Sequence, residues 1–186
     1  HEEEIVLAPG ADPKSDPCLA LRAAVAAAEF GLPIAPGTLQ NLKSCPIDDR
    51  TWNDESRSLW LRLLASGPAL LQVWEEIDFV DIPGRLIPEW LAIRNRPSAS
   101  AAHRYTIDRH SVEVVTRLGR ETPRGNRYDD RHYQALLLAG ILHDVGKRPG
   151  VADHAAEGAR HASMVLKRMG FDRDIIWWVT LLVREH

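Results

Sequence analysis

Wherever the spacing of apolar residues along the chain is regular, it is helical. Cys18 to Phe30 is rich in alanine. Asp16-Pro17 precedes it as an N-cap and a first-turn proline, and Gly31 and Pro33 close it, which predicts a first helix. A second helix is predicted from near Asn53 or Asp54, with Leu59, Trp60, Leu63 and Leu64 along it, and at Gly67-Pro68 it yields to a third that ends near Phe79. Pro83, Gly84, Pro88 and Pro97 cut the next stretch into short pieces, and Pro88 can start a helical turn through Trp90 and Ile93. The stretch 94–102, Arg-Asn-Arg-Pro-Ser-Ala-Ser-Ala-Ala, is the best boundary, dividing the chain into residues 1–94 and 95–186.

After that boundary, Thr106 is placed to cap a helix with Ile107, His110, Val114, Val115 and Leu118 on one side. Asp129 or Asp130 opens the next, whose buried stripe is Ala135, Leu138, Ala139 and Leu142, and which reaches His143-Asp144 before Gly146 ends it. A helix from about His154 to Met169 stops at Gly170. Asp172 caps the last, with Ile175, Val179, Leu182 and His186 expected on one face. No run of alternating residues is long enough for a sheet, so the predicted fold class is all-α.

Composition narrows the function classes. The 186 residues, 45% hydrophobic and 26% charged, suffice for one well-buried core and disfavour collagen, wholesale disorder and a disulfide-stapled miniprotein. Net charge is −3 and Lys and Arg are scattered, so nucleic acid is not an expected partner. No apolar run approaches the roughly 20 residues that span a bilayer, so no membrane is expected either. The acidic start, His1-Glu2-Glu3-Glu4, is unlike a signal peptide, which makes the cytoplasm the expected compartment. Cys18 and Cys45 have no Cys-x-x-Cys spacing and are expected to be reduced. A start without Met reads as a piece of a longer polypeptide.

Candidate chemistry is confined to the second half. Of eight histidines, His1 is terminal and the other seven (His103, His110, His132, His143, His154, His161, His186) follow residue 100, whereas Trp52, Trp60, Trp74 and Trp90 mark the first half as scaffold. The tryptophans in general are expected in the core or between helices. A polar side chain at a buried helix position costs several kcal/mol unless it is hydrogen-bonded or metal-bound. Three helices nevertheless aim imidazoles inward, at His110, His143 and His186. His143 and Asp144 project about 100° apart on a helix, so one metal can take both only at a helix end facing a cleft. Any one of these residues alone is explained by a hydrogen-bonded core histidine or a helix cap. An imidazole and carboxylate set without thiolates suits Mn, Fe, Co or Zn.

The string Leu-Leu-Leu-Ala-Gly-Ile-Leu-His-Asp-Val-Gly-Lys, Leu136 to Lys147, resembles the signature of the HD superfamily of metal-dependent phosphohydrolases. His103-Arg-Tyr-Thr-Ile-Asp-Arg-His110, His143-Asp144, Asp153-His154-Ala-Ala-Glu-Gly158 and Leu182-Val-Arg-Glu-His186 follow in the order of the HD domain of the PII-protein uridylyltransferase/uridylyl-removing family. The resemblance is closest over Leu86 to His186 and more diffuse over Ile5 to Pro83. It implies an HD phosphohydrolase domain over 95–186 with a helical linker or appendage over 1–94. It further implies hydrolysis of the nucleotidyl-tyrosine phosphodiester on the PII nitrogen-signalling protein, releasing UMP or, as in some actinobacterial relatives, AMP.

The same resemblance carries a residue set. One or two divalent ions, foremost Mn or Fe with Mg, Co or Zn compatible, would be held by His110, His143 and Asp144, with His154 and His186 as further ligands. Asp144, Lys147 and His154 would carry catalysis, Lys147 against the phosphate, and His103 would support the ligands without binding the metal. His132 and His161 are read as ordinary surface or packing residues. The family places a nucleotidyltransferase domain upstream and two ACT domains downstream, neither visible here, and closes its metal site with a further Asp on or after the last helix. Since the chain stops at His186, the HD domain is expected to be C-terminally incomplete. Two other readings stay open: a catalytically incomplete HD module that binds nucleotide or a nitrogen signal, and a first half that serves as a platform for PII or a neighbouring domain.

Overall fold

In the computed structural model, residues 3–47, 51–98, 105–121 and 130–186 are described. Every regular element among them is helical, and their β pairing is confined to two isolated bridges, Ile5 with Ile34 and Pro97 with Thr106. The fold is all-α, as the pattern predicts.

The first-half helices form where their punctuation lies. Helix α1 covers Leu19–Phe30 and ends at Gly31, which is left-handed at φ 65°. The Asp16 carboxylate accepts the Cys18 N–H at 3.0 Å, so the acid acts from two residues before the N-cap, which is Cys18. Helix α2, Pro36–Leu42, was not anticipated, although Pro36 at its first position is the sequence feature that marks it. Asn53 opens α3, Asp54–Leu64, through a reciprocal capping box with Ser56, the two bonds being 2.9 and 2.8 Å. Helix α4, Ala69–Phe79, leads into the short α5, Ile82–Leu86, and a 3-10 turn over Pro88–Ala92.

The second half supplies α6 (Ile107–Glu121), α7 (Arg131–Leu142), α8 (His154–Arg168) and α9 (Arg173–Arg184). Asp130, Asp153 and Asp172 cap the last three with their carboxylates, as the pattern requires; Asp129, the other candidate opener of α7, lies outside the described residues. Helix α7 is buried from Leu137 to Leu142 without a break, which makes it the central rod of this half. It packs against α6 and α9, while α8 pairs with α9.

Two expected faces are corrected. On α6 the buried positions are Ile107, Asp108, Ser111, Val112, Val115 and Thr116, with His110 and Val114 at the margin of that stripe. On α9 they are Ile175, Val179 and Val183, so Leu182 is exposed, and His186 lies two residues past the helix instead of in a core slot.

Both halves contribute to one hydrophobic core. Rings of Trp52, Trp60, Trp74 and Trp90 follow one another at centroid spacings of 6.1, 5.8 and 5.2 Å. Helices α3 and α4 meet α6, and α3 also meets α7. Polar contacts tie the same surfaces: Arg168 grips Glu89 at 2.9 and 2.6 Å, and Arg57 donates to the Met169 carbonyl at 3.1 Å. Cys18 and Cys45 are free and buried, and no helix among the described residues is long and apolar enough to cross a membrane.

Candidate metal centre

Helix α7 ends at Leu142, so His143 and Asp144 stand in the turn that follows it rather than on the helix. That turn is closed by the Val145 N–H on the Leu142 carbonyl and the Lys147 N–H on the Asp144 carbonyl, at 3.1 and 3.0 Å. At this helix end the two side chains converge on one point. Gly146 has a purpose other than stopping the helix, because its φ is not positive. A Cβ there would lie 2.2 Å from the His154 carbonyl oxygen and 2.3 Å from the Gly158 nitrogen. The glycine therefore lets the turn press directly on the backbone of α8.

His110 reaches the same point from the first turns of α6, its ring centroid 5.3 Å from that of His143. One ligand atom from each of His110, His143 and Asp144 falls within 4.8 Å of the others, a grouping suited to a metal ion. His186 joins at the edge, with Nε2 3.4 Å from Asp144 Oδ1 and its ring 5.3 Å from His143. His154, exposed at the start of α8, touches only the outer side of this set, through the His186 ring at 5.8 Å. Lys147 places Nζ 2.8 and 2.9 Å from the two Asp144 oxygens. His103 lies outside the described residues.

The donors are poised for a cation. His143 Nδ1 lies 2.8 Å from the Gly140 carbonyl and His186 Nδ1 lies 2.6 Å from the Val183 carbonyl. A carbonyl only accepts, so each Nδ1 carries the proton. Nε2 of His143 is thereby turned toward Asp144, whose Oδ2 lies 3.4 Å away. Asp144 is only 2% exposed, and its Oδ1 accepts no well-formed hydrogen bond despite the nearby ammonium. Burial works to raise the Asp144 pKa, but the hydrogen bond and charge of His143 and the Lys147 ammonium outweigh it, and the carboxyl sits well below the usual range. An ionised, buried carboxylate beside two imidazoles fits a divalent metal.

Ser98, Tyr105 and Ile107 line a narrow crevice with His110, Asp144 and Lys147. These three were not singled out from the sequence, although Tyr105 lies inside the string that ends at His110. His132 and His161 stand apart from the centre: His132 stacks on Trp178 at 4.3 Å, and buried His161 bonds Glu157 at 2.9 Å.

No protein-family model and no solved structure matches the chain. Curated relatives do. The chain is 40% identical over 188 residues to the bifunctional uridylyltransferase/uridylyl-removing enzyme of Streptomyces coelicolor, covering 100% of this chain and 22% of that protein. The enzyme of the same name from Mycobacterium tuberculosis is 39% identical over 98% of the chain, again 22% of its own length. That of Corynebacterium glutamicum is 33% identical over 92% of the chain and 24% of its own length. The chain thus spans about a fifth to a quarter of the length of these relatives. Along its whole length it is a homologue of one segment of the actinobacterial bifunctional uridylyltransferase/uridylyl-removing enzymes.

Proposed function

We propose that this chain is a metal-dependent phosphodiester hydrolase of the HD type that removes UMP or AMP from a modified tyrosine of PII, with residues 95–186 as the hydrolase domain and 1–94 as its helical support. The observation that carries the proposal is the convergence of His110, His143 and Asp144 within 4.8 Å around a buried carboxylate oxygen. The relatives are named for a uridylyl-removing activity, which is a phosphodiester hydrolysis.

His110, His143 and Asp144 would hold the ion, with His186 at its margin. A divalent metal, Mn or Fe foremost, would supply Lewis acidity to the phosphoryl group and a nucleophile at neutral pH. The chain's own residues do the rest. Gly140 and Val183 fix the imidazole orientations through their carbonyls. Lys147 neutralises Asp144 and stands beside the crevice, where its ammonium can pass to a nonbridging phosphoryl oxygen. His154, at the positive end of α8, faces solvent and can meet the same phosphate. A tyrosine leaving group, with a pKa near 10, departs without a strong general acid.

The test is incubation of the full-length protein with PII-UMP and PII-AMP, with and without Mn, followed by chromatography of the released nucleotide. Metal-dependent release of UMP or AMP that disappears in His143→Ala is expected. Release without metal, or undiminished release by His143→Ala, overturns the assignment.

A further inference from the structure

Trp177 departs from the expectation that the tryptophans are core residues. It is 61% exposed on α9, one turn from Leu181 at 45%, and Met164 on α8 is 46% exposed. An open groove of about 510 Å³ runs between the two helices, with Ala159, Ile176, Trp177 and Leu181 among its apolar lining. Exposed apolar clusters with a polar rim mark interaction surfaces, and Trp, Met and Arg are over-represented in them.

The rim is basic. Lys167 and Arg173 stand together where α8 gives way to α9, and neither has a carboxylate partner among the described residues, whereas Arg184 at the other end is paired to Asp153 at 2.8 Å. That other end adjoins the metal centre, since Asp153 precedes His154 and Arg184 is two residues before His186. The groove thus leads from an unpaired cationic pair, past Trp177 and Leu181, to the edge of the candidate site. At about 1.5 Å per residue, Arg173 to Arg184 spans roughly 17 Å.

We propose that this groove docks the protein substrate itself, seating a segment with apolar and acidic side chains next to the modified tyrosine while the diester enters the metal centre. The proposal rests on the hydrolase reading above. A second copy of this chain fits poorly, because self-pairing of the patch would bring Lys167 and Arg173 against their own equivalents. A lipid surface fits less well than a protein segment, because the apolar residues line a cleft between two helices.

Two readouts separate the docking from the chemistry. Hydrolysis of bis(p-nitrophenyl) phosphate and of nucleotidylated PII is measured for the full-length protein, Trp177→Ala and Lys167→Gln/Arg173→Gln, all with Mn, and equilibrium binding of nucleotidylated PII is measured in parallel. The variants are expected to turn over the small diester as the unsubstituted protein does. For PII their KM and Kd should rise about tenfold or more with kcat unchanged, since a truncated interfacial Trp is a typical hot spot. The weakening in Lys167→Gln/Arg173→Gln should shrink at high salt. Unchanged KM and Kd for PII in both variants overturn the docking surface while leaving the hydrolase assignment intact. Loss of PII binding in a protein that hydrolyses neither substrate supports the surface and overturns the hydrolase. Binding to anionic vesicles that is lost in Trp177→Ala, with PII binding unaffected, assigns the groove to lipid and overturns the proposal.

Discussion

Replacing Gly146 by alanine tests the account of how the metal centre is held. The new methyl carbon would sit 2.2 Å from the His154 carbonyl oxygen, 2.3 Å from the Gly158 nitrogen and 2.8 Å from the Gly158 Cα. Non-bonded carbon contacts are comfortable at about 3.5–4.0 Å, so the start of α8 must retreat by roughly 1 Å. No side-chain rotation can relieve the clash, because every opposing atom is backbone. The same contact is tight from the α8 side, since a Cβ on Gly158 would be 3.2 Å from Val183 Cγ1 and 3.3 Å from the His143 carbonyl oxygen. Overpacking of this kind costs about 1–3 kcal/mol, and a rigid backbone obstacle puts Gly146→Ala at the upper end. For a chain of this length each kcal/mol moves Tm by about 2–4 °C, so a fall of about 5–12 °C is expected.

Gly37→Ala is the matched control. Gly37 lies in α2, has a negative φ and has nothing within 4 Å of its virtual Cβ. There the same substitution removes backbone entropy from the unfolded chain and should leave Tm unchanged or raise it. Scanning calorimetry of both variants decides the matter, with Mn titration of each as a second readout, because displacement of the 143–146 turn should weaken metal binding as well. A Gly146→Ala protein that melts within about 1 °C of the parent, against the 1–3 kcal/mol expected from overpacking, would show that the turn and α8 are not locked together.

Asp144→Asn, which preserves shape but removes the charge, is expected to lower Mn affinity by more than the 10–100-fold typical of lost supporting contacts, read by calorimetric titration; undiminished affinity would remove Asp144 from the ligand set. The Glu157 carboxyl, pulled down to about 2 chiefly by the Arg160 hydrogen bond, should return toward the ordinary range of about 4.3 in Arg160→Ala, as followed by NMR titration. Its contribution to stability is present above the unfolded value and is lost as pH falls through about 2. His161 has a lowered pKa, burial first and then the Arg148 and Arg160 charges. Because the unfolded chain takes up that proton more readily, stability should decline as pH falls below about 6.5, and His161→Gln should flatten that part of the Tm profile; an unchanged profile would refute the neutral, buried imidazole.

What could be read from the sequence follows from how local each cause is. Helix ends were legible because Asp130, Asp153 and Asp172 act on N–H groups two or three residues away, and Gly31 and Gly170 act at their own positions through φ of 65° and 77°. Helix α2 escaped because seven residues with only Thr38 and Leu42 buried leave almost no periodic signal. The faces of α6 and α9 were misjudged for a related reason. A 3.6-residue period drifts, and over eight residues the choice between Leu182 and Val183 is set by what α7 and α8 present, which no window on α9 contains.

The metal centre shows the same division. His143 and Asp144 are neighbours in the chain, so their joint appearance could be recognised, and His110 could be added through its place in an ordered string. What the sequence could not show is why these residues meet. One metal can take both His143 and Asp144 only at a helix end, and the structure places them just past the end of α7. The turn itself stays in place because Gly146 and Gly158, twelve positions apart in sequence, bring two backbones into contact. Carbonyls of Gly140 and Val183, on two different helices, then aim the imidazoles of His143 and His186 at one carboxylate. Ligand identity is thus a property of side chains and can be written into a motif, whereas ligand convergence is a property of backbone packing. Side-chain substitutions at the centre should accordingly act on metal binding with little effect on folding, and glycine substitutions beneath it should act on both.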